Sequence, residues 1–231
     1  MKIFPAYAFI ILPLLSGLNV QTARGQLLDE EFSSISFPHS AFDPNATEGL
    51  LGVNSDSLYL SMTNSWNSLY VTSDDSWDRT NGSGKVLQAT FFVKSLSDGG
   101  TLVTFSLIDS AGAVENSVAT GYTWFALTNS SPNEIRAVDD TSCCTGNTVQ
   151  QAFNTAGGAL RITLDPVQGA LWEYDVGVGF VPARDNRGTG GDMGTNYRLI
   201  IMNGPGNGET RVDRVLVDYV DPPGVTPSCT G

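Results

Sequence analysis

Short apolar runs separated by turn-forming residues are the feature that most constrains the fold of this chain. Nearly every run is rich in Val, Ile, Thr, Tyr and Phe and is bounded by Gly, Pro, Asn, Asp or Ser, which is the pattern of β-strands joined by turns. In one run, Leu160, Ile162 and Leu164 are separated by single polar residues, as expected when alternate side chains point to opposite faces of a sheet. No window keeps a helical period over three turns. The sequence therefore predicts an all-β domain.

Ten strands are predicted, and their spacing is typical of a sandwich of two sheets. They cover residues 57–62, 68–73, 85–96, 101–109, 122–129, 134–139, 159–166, 170–176, 197–203 and 210–220. The two longest connections, 73–85 and 183–196, are polar and rich in glycine. Loops of this kind commonly carry binding residues.

The first 25 residues differ in composition from the rest of the chain. Lys2 precedes an apolar stretch, and Ala23 and Gly25 satisfy the small-residue rule for cleavage. The stretch is interrupted by proline and is short for a membrane span, which favours a cleaved leader without membrane insertion. We predict a signal peptide at 1–25, a secreted, extracellular β-sandwich domain at 26–221 and a Pro-rich C-terminal tail at 222–231.

The charge balance excludes several kinds of partner. Without the leader, ten basic residues stand against 24 acidic ones, which gives a net formal charge of −14. The basic residues are scattered singly, so the sequence offers no patch for nucleic acid or anionic lipid. A polyanionic polysaccharide is disfavoured as well, because its recognition usually needs arginine and lysine.

The cysteines are odd in number: Cys143, Cys144 and Cys229. After export, one thiol is left over or forms an intermolecular bond, which leaves self-association open. Either adjacent cysteine can pair with Cys229, and a strained disulfide between Cys143 and Cys144 is the alternative. We predict the pair Cys144 and Cys229, which would tie the tail to a mid-chain loop.

Three stretches carry a family resemblance. With LLDEEFSS at 27–34 and RVDRVLVDYV at 211–220, the chain resembles secreted concanavalin A-like (laminin-G-like, lectin/glucanase) jelly-roll domains, in which the first and last strands pair. The hairpin LRITLDPVQGALWEYDVG at 160–177 is similar to a strand pair common in that family. The resemblance implies a two-sheet jelly roll. It implies no single function, because the fold carries lectins, hydrolases, lyases and adhesion modules.

Glu173 and Asp175 are the candidate catalytic residues. Two positions apart on a strand, they would share a face about 7 Å apart. In the family that this chain resembles, retaining glucanases carry Glu, Asp and Glu at alternating positions of one strand. Retention requires the outer two carboxyls to lie about 5–5.5 Å apart. Position 177 is glycine, so the third acid is missing. The alternative is a solvated strand face, with Trp172 and Tyr174 buried on the other side.

Calcium is the candidate cofactor. The resemblance implies a structural Ca²⁺ held by acids of the first and last strands, since Ca²⁺ prefers carboxylate and carbonyl oxygens. The matching acids are Asp29, Glu30, Asp213 and Asp218. A second set in the 73–85 loop consists of Asp74, Asp75 and Asp78. For both sets, a hydrated acidic surface is the alternative interpretation.

Carbohydrate is the candidate ligand, because sugars bind exposed aromatic faces beside polar side chains. The predicted binding residues are Trp77, Trp66, Asp78 and Asn81. The sequence favours a secreted, non-catalytic module that binds a glycan or a cell-surface polysaccharide. A hydrolase or lyase with a diverged site around Glu173 and Asp175 is one alternative. An extracellular filament or adhesion subunit is the other, suggested by the odd cysteine and the Pro-rich tail.

Overall fold

The computed structural model describes residues 27–32, 42–46, 50–53, 57–63, 69–96, 103–109, 124–130, 134–139, 147–150, 157–189, 194–203 and 207–224. The regular secondary structure of these residues is all β-strand, and the other described residues lie in turns, bends and irregular segments. Within the same ranges, no helix has the length and apolar character needed to cross a membrane.

The described ranges contain sixteen strands. In chain order they are β1 (Leu28–Glu30), β2 (Phe42–Ala46), β3 (Leu50–Val53), β4 (Leu58–Thr63), β5 (Leu69–Ser73), β6 (Trp77–Asp78), β7 (Val86–Leu96), β8 (Val103–Asp109), β9 (Trp124–Ser130), β10 (Glu134–Asp139), β11 (Asn147–Gln150), β12 (Gly158–Leu164), β13 (Ala170–Asp175), β14 (Val181–Asp185), β15 (Asn196–Asn203) and β16 (Asn207–Val220).

The strands form two antiparallel sheets of eight strands each. The first sheet has the order β14-β13-β12-β7-β16-β4-β3, with β1 beside β16. The second has the order β11-β10-β9-β8-β15-β5-β2, with β6 beside β15. In the first sheet Leu28 of β1 lies opposite Val217 of β16, which confirms that the first and last strands pair.

The core lies between the two sheets and is built from the alternating apolar residues of both. Phe91 of the first sheet and Phe105 of the second have ring centroids 5.3 Å apart, and both are fully buried. Trp172 and Tyr174 also belong to the core, as predicted. Burial of this apolar surface is the dominant favourable contribution to folding. The two-sheet, all-β prediction is confirmed.

All ten predicted runs are strands, and the missed strands lie mainly at sheet edges. β2 and β14 are each one of the two outer strands of their sheet, and they contain Pro44 and Pro182. Proline and aspartate are depleted in strands, so neither segment carries the compositional signal of a strand. β6 has only two residues, too few for any alternation to be read.

Candidate functional site

Several connecting segments of the two sheets meet in one region, which we call the cavity end. It comprises the segment 78–85, the turns 165–169 and 186–189, the pair 194–195 and the segment 218–224. Hydrogen bonds join each of these segments to another one. The two long polar loops singled out in the sequence, 73–85 and 183–196, both contribute to it.

Arg79 is the residue that ties the cavity end together. Its backbone N–H donates to the Thr195 carbonyl (2.8 Å), and its own carbonyl accepts from the Leu87 N–H (2.8 Å). Its guanidinium donates through Nη1 to the Val167 carbonyl and through Nη2 to the Tyr197 hydroxyl (2.9 Å). The guanidinium carbon also lies 5.7 Å from the centre of the Tyr197 ring. Arg79 is only 7 % exposed, so a cation is buried at this site.

Asn81 shapes the tight turn that follows. Its side-chain Oδ1 accepts bonds from the backbone N–H groups of Ser83 (3.1 Å) and Lys85 (2.9 Å) and from the Ser83 hydroxyl (2.9 Å). Asparagine is common in turns because its side chain can bond to nearby backbone groups in this way. Gly84 completes the turn with φ of +81°, a conformation that costs glycine little.

The 165–169 turn is held in place by the 186–189 turn. Asp165 donates its N–H to the Gly169 carbonyl (3.0 Å), and its Oδ1 accepts from two N–H groups inside the turn. Gly169 has φ of +80°, and a Cβ there would lie 2.2 Å from the Asn186 carbonyl. Gln168 and Gly188 exchange two hydrogen bonds, at 2.7 and 2.9 Å. These contacts hold the 165–169 turn in one conformation, with the Val167 carbonyl directed at Arg79.

Two cavities open at the cavity end. The first has a volume of about 430 Å³ and is lined by Asp78, Arg79, Thr80, Pro166, Val167, Gly194 and Thr195. The second has a volume of about 520 Å³ and is lined by Asn81, Ser83, Lys85, Asp218, Tyr219, Val220 and Asp221. Both volumes fall in the range of sites for small ligands.

Tyr219 links the walls of the two cavities. Its hydroxyl donates to the Asp78 carbonyl (2.9 Å), so the second cavity's aromatic side chain is fixed against the first cavity's wall. Burial raises the pKa of Tyr219 above its ordinary value, and the nearby Asp78 carboxylate raises that pKa further. The phenol therefore stays protonated and keeps donating at neutral pH.

Neither of the two predicted aromatic binding residues lies on the surface that the structure describes. Trp77 is only 8 % exposed and belongs to the core, because it lies opposite the fully buried Tyr197 in the β6–β15 pair. Its predicted role as an exposed stacking platform is therefore wrong. Trp66 lies outside the described residues. The other two predicted residues, Asp78 and Asn81, do line the cavities.

Glu173 is not part of a solvated strand face. It is 8 % exposed, and its Oε2 accepts from Arg161 Nε at 2.7 Å. The Arg161 guanidinium in turn lies 3.7 Å from the centre of the Phe180 ring. The expected exposure of Glu173 is wrong because Arg161 lies opposite it on the neighbouring strand β12 and covers its carboxylate.

Asp175 caps the turn that follows β13. Its Oδ1 accepts from the N–H groups of Gly177 (2.7 Å), Val178 (3.0 Å) and Gly179 (2.9 Å). These bonds, led by the one from Gly177, hold the pKa of Asp175 below its ordinary value, because they stabilise the ionised form. Both candidate catalytic carboxylates are therefore engaged in local structure.

The first predicted calcium set is divided among other contacts. Asp29 forms a two-pronged ion pair with Arg214, with both N···O distances at 2.6 Å, and this pair raises the pKa of Arg214. Asp213 lies 3.5 Å from Lys94 Nζ. Glu30 accepts the N–H of Phe32.

In the described ranges, no group of three or more Asp, Glu, His or Cys side chains is placed to hold a metal ion. The remaining acid of the first set, Asp218, accepts a backbone N–H and lines the second cavity. The alternative set, Asp74, Asp75 and Asp78, lies in the described ranges as well. Calcium binding stays a prediction that neither acid set supports.

The start of the C-terminal tail is anchored to the 186–189 turn. Arg187 donates to the carbonyls of Pro223 and Gly224 and forms an ion pair with Asp185 at 2.6 Å. The hydrogen bond from Arg187 lowers the pKa of Asp185, and the same bond raises the pKa of Arg187. The predicted signal peptide and the predicted Cys144–Cys229 disulfide lie outside the described residues and stay predictions.

Comparison with solved structures places this architecture among known folds. One match is a non-specific endo-β-1,3(4)-glucanase of family GH16, with a TM-score of 0.64, 12 % identity, and coverage of 84 % of this chain and 94 % of the other. Winged bean acidic lectin matches with a TM-score of 0.58, 13 % identity, and coverage of 82 % and 97 %.

A third match is an immunostimulatory antigen and pseudo β-1,3-glucanase of Mycobacterium tuberculosis, with a TM-score of 0.55, 14 % identity, and coverage of 85 % and 99 %. The chain has the concanavalin A-like jelly-roll fold. By sequence, no protein-family model and no curated protein matches it.

Within this concanavalin A-like sandwich, sequence reasoning missed Arg79, Tyr219 and the 165–169 turn as parts of one site. The sequence predicts a binding role for the 73–85 loop and a family-like hairpin at 160–177, which contains this turn. Nothing in the sequence showed that these two segments meet, because the contact joins residues 88 positions apart.

Proposed function

We propose that the chain is a secreted, non-catalytic carbohydrate-binding module, and that the second cavity of the cavity end holds the glycan. The observation that carries the proposal is the lining of this cavity. A half-buried tyrosine, Tyr219, stands beside the carboxylates of Asp218 and Asp221 and beside Lys85. Sugar sites combine an aromatic side chain with polar groups that bond to hydroxyls.

The charges of the cavity favour a neutral sugar at this position. Carboxylates accept hydrogen bonds from sugar hydroxyls, and the Lys85 ammonium donates to hydroxyl or ring oxygens. Two acids against one lysine disfavour a polyanionic chain, in agreement with the net charge of −14 that remains once the leader is excluded. The cavity volume of about 520 Å³ accommodates one or two sugar rings.

The state of the candidate catalytic acids supports binding over hydrolysis. A retaining site needs two carboxyls about 5–5.5 Å apart, one of which is free to exchange a proton. Glu173 is bonded to Arg161, and Asp175 accepts three backbone N–H groups. These contacts favour a structural role for both carboxylates over a catalytic one.

A glycan array probed with the purified protein, first with calcium and then with a chelator, tests the proposal. We expect neutral glycans to bind without release of product. Asp221→Asn and Tyr219→Ala should weaken binding by about tenfold or more, since each removes a direct contact. Tyr59→Ala is the matched control, because Tyr59 packs under Arg211 away from both cavities.

Two results would count against the proposal. Silence of folded protein on the array, with and without calcium, would reject carbohydrate binding. Release of new reducing ends or unsaturated sugars, abolished by Glu173→Gln, would instead establish the hydrolase or lyase alternative. Because Asp221 is exposed, its variant should fold normally and keep the test decisive even if Tyr219→Ala is unstable.

A further inference from the structure

We propose that the first cavity of the cavity end binds the carboxylate of a single uronic acid residue, with Arg79 as the cation that receives it. This inference rests on the proposed carbohydrate function and adds a ligand class to it. The first cavity is separate from the second, and its lining is different.

The first step of the argument is the incomplete bonding of Arg79. A guanidinium has five N–H donors, and the structure assigns two of them to the Val167 carbonyl and the Tyr197 hydroxyl. Nε is buried and has no hydrogen-bond partner. Among the described residues no carboxylate pairs with Arg79. A buried charge without an opposite charge is costly, so this position is suited to an anion from outside.

Other arginines of the same domain show what a compensated site looks like. Arg161 pairs with Glu173 at 2.7 Å, and Arg214 pairs with Asp29 at 2.6 Å. Both are more exposed to water than Arg79. Arg79 is thus more deeply buried than Arg161 and Arg214, and no acid pairs with it within the described ranges. It also lines a cavity.

The second step is the chemistry of the cavity wall. Thr80 and Thr195 bring hydroxyl groups, and Asp78 brings a carboxylate. A ligand that matches this wall has an anionic group for Arg79 and hydroxyl groups for Asp78 and the threonines. A hexuronate has both. The volume of about 430 Å³ suits one such ring.

The third step limits the number of acidic groups on the ligand. The described wall holds one cation, Arg79, and one acid, Asp78, so a second carboxylate would meet repulsion rather than a partner. The acidic charge of the whole chain disfavours a polyuronate for the same reason. The ligand is therefore an isolated uronic acid residue in an otherwise neutral glycan.

Calorimetry on the unmodified protein, with methyl β-D-glucuronide and methyl β-D-glucoside at matched ionic strength, tests the inference. The two probes differ only in the carboxylate. We expect the glucuronide to bind about tenfold or more tightly, as a charge-assisted bond to arginine predicts. Inorganic sulfate serves as a third probe, and we expect weaker binding because it lacks hydroxyl groups for Asp78. Equal affinities for the glucuronide and the glucoside, or tighter binding of sulfate, would overturn the inference.

Arg79→Lys supplies the variant arm, because lysine keeps the charge but loses the planar fork. The preference for glucuronide over glucoside should fall by about tenfold. Arg214→Lys is the matched control and should keep the preference, since Arg214 pairs with Asp29 outside the cavity end. Thr195→Val, at an exposed position, should weaken glucuronide binding even if Arg79→Lys fails to fold.

The two proposals fail in different ways. If neutral glycans bind and depend on Asp221, while the glucuronide gains nothing over the glucoside, the uronate inference is rejected and the proposed function stands. If no probe binds in either experiment, both are rejected. If the preference for glucuronide survives in Arg79→Lys, the carboxylate is bound elsewhere and the assignment to Arg79 is wrong.

Discussion

Arg161 and Arg79 are both arginines held against an aromatic ring, yet their surroundings differ in one respect. Arg161 lies 3.7 Å from the centre of the Phe180 ring and pairs with Glu173. Arg79 lies 5.7 Å from the centre of the Tyr197 ring, but its hydrogen-bond acceptors are a carbonyl and a hydroxyl. The first cation is neutralised by its own sheet, whereas the second stands beside a cavity.

The difference separates structural arginines from a candidate ligand-binding one. An arginine with an acid and a ring is fully engaged, and its removal leaves a buried negative charge behind. An arginine bonded to neutral acceptors leaves only uncharged groups behind when it is removed. The exposed fraction of an arginine does not predict the stability cost of removing it, because that cost depends on whether its partner is charged or neutral.

The largest expected effect is the loss of Arg161. Arg161→Met should lower the free energy of unfolding by about 2–3 kcal/mol, because it strands the Glu173 carboxylate; the 24 % exposure of the Arg161 side chain keeps this below the full cost of a buried pair. Denaturant unfolding at neutral pH measures it. Adding Glu173→Gln should restore part of the lost stability. A double variant no more stable than Arg161→Met would contradict the claim that Arg161 is needed to neutralise Glu173.

A smaller effect is expected at Arg79. Arg79→Met should lower the free energy of unfolding by at most about 1–2 kcal/mol, because the Val167 carbonyl and the Tyr197 hydroxyl lose their donor. No charge is stranded, and removal of the buried Arg79 charge offsets part of the loss. The same denaturant series measures it. A loss larger than that of Arg161→Met would show that Arg79 is mainly a structural residue, and it would weaken its assignment to a ligand.

Acid should act on the ion-paired regions rather than on the neutral contacts of Arg79. The pKa of Asp185 is lowered by Arg187, so its contribution to stability is present above its unfolded pKa of about 4 and is lost as pH falls through its folded pKa. We expect the stability difference between the unmodified protein and Asp185→Asn to shrink below about pH 4. Thermal unfolding between about pH 6 and pH 2 checks this, and a difference that does not change with pH would contradict it.

The smallest effect at neutral pH is expected at Tyr219. Tyr219→Phe removes one hydrogen bond to the Asp78 carbonyl and should cost about 0.5–1 kcal/mol. Because the folded pKa of Tyr219 is raised, its contribution is complete below the unfolded pKa of about 10 and is lost as pH rises through the folded value. Unfolding of the two proteins at pH 7 and above pH 10 should show their stabilities converging, and an unchanged gap would refute the assignment.

The sequence predicted the elements of the fold far better than the site. Alternation such as that of Leu160, Ile162 and Leu164 is a local property, and it located the central strands. The missed strands β2 and β14 contain proline, and their pairing depends on neighbours rather than on their own composition.

The site depended on contacts that no local pattern encodes. Trp77 lies among polar residues in the sequence, which suggested exposure, but its pairing opposite Tyr197 buries it. Glu173 was expected in solvent because it alternates with apolar residues. In the structure, Arg161 lies directly opposite it on the adjacent strand β12 and covers its carboxylate. The length and polarity of their loop predicted Asp78 and Asn81 as ligand-binding residues, and both line cavities, but these cavities also need Pro166 and Tyr219 from distant segments.

The outer strands have a consequence for how copies of this chain behave together. At the four outer positions of the two sheets, β3 and β11 have four residues each and β2 and β14 have five. The latter two also contain Pro44 and Pro182, which lack the N–H that an incoming strand needs. Short and proline-bearing outer strands are poor templates for adding a strand from another molecule. Extension of either sheet through these described outer strands is therefore disfavoured, and a concentrated solution of this protein should resist amyloid-like polymerisation through them.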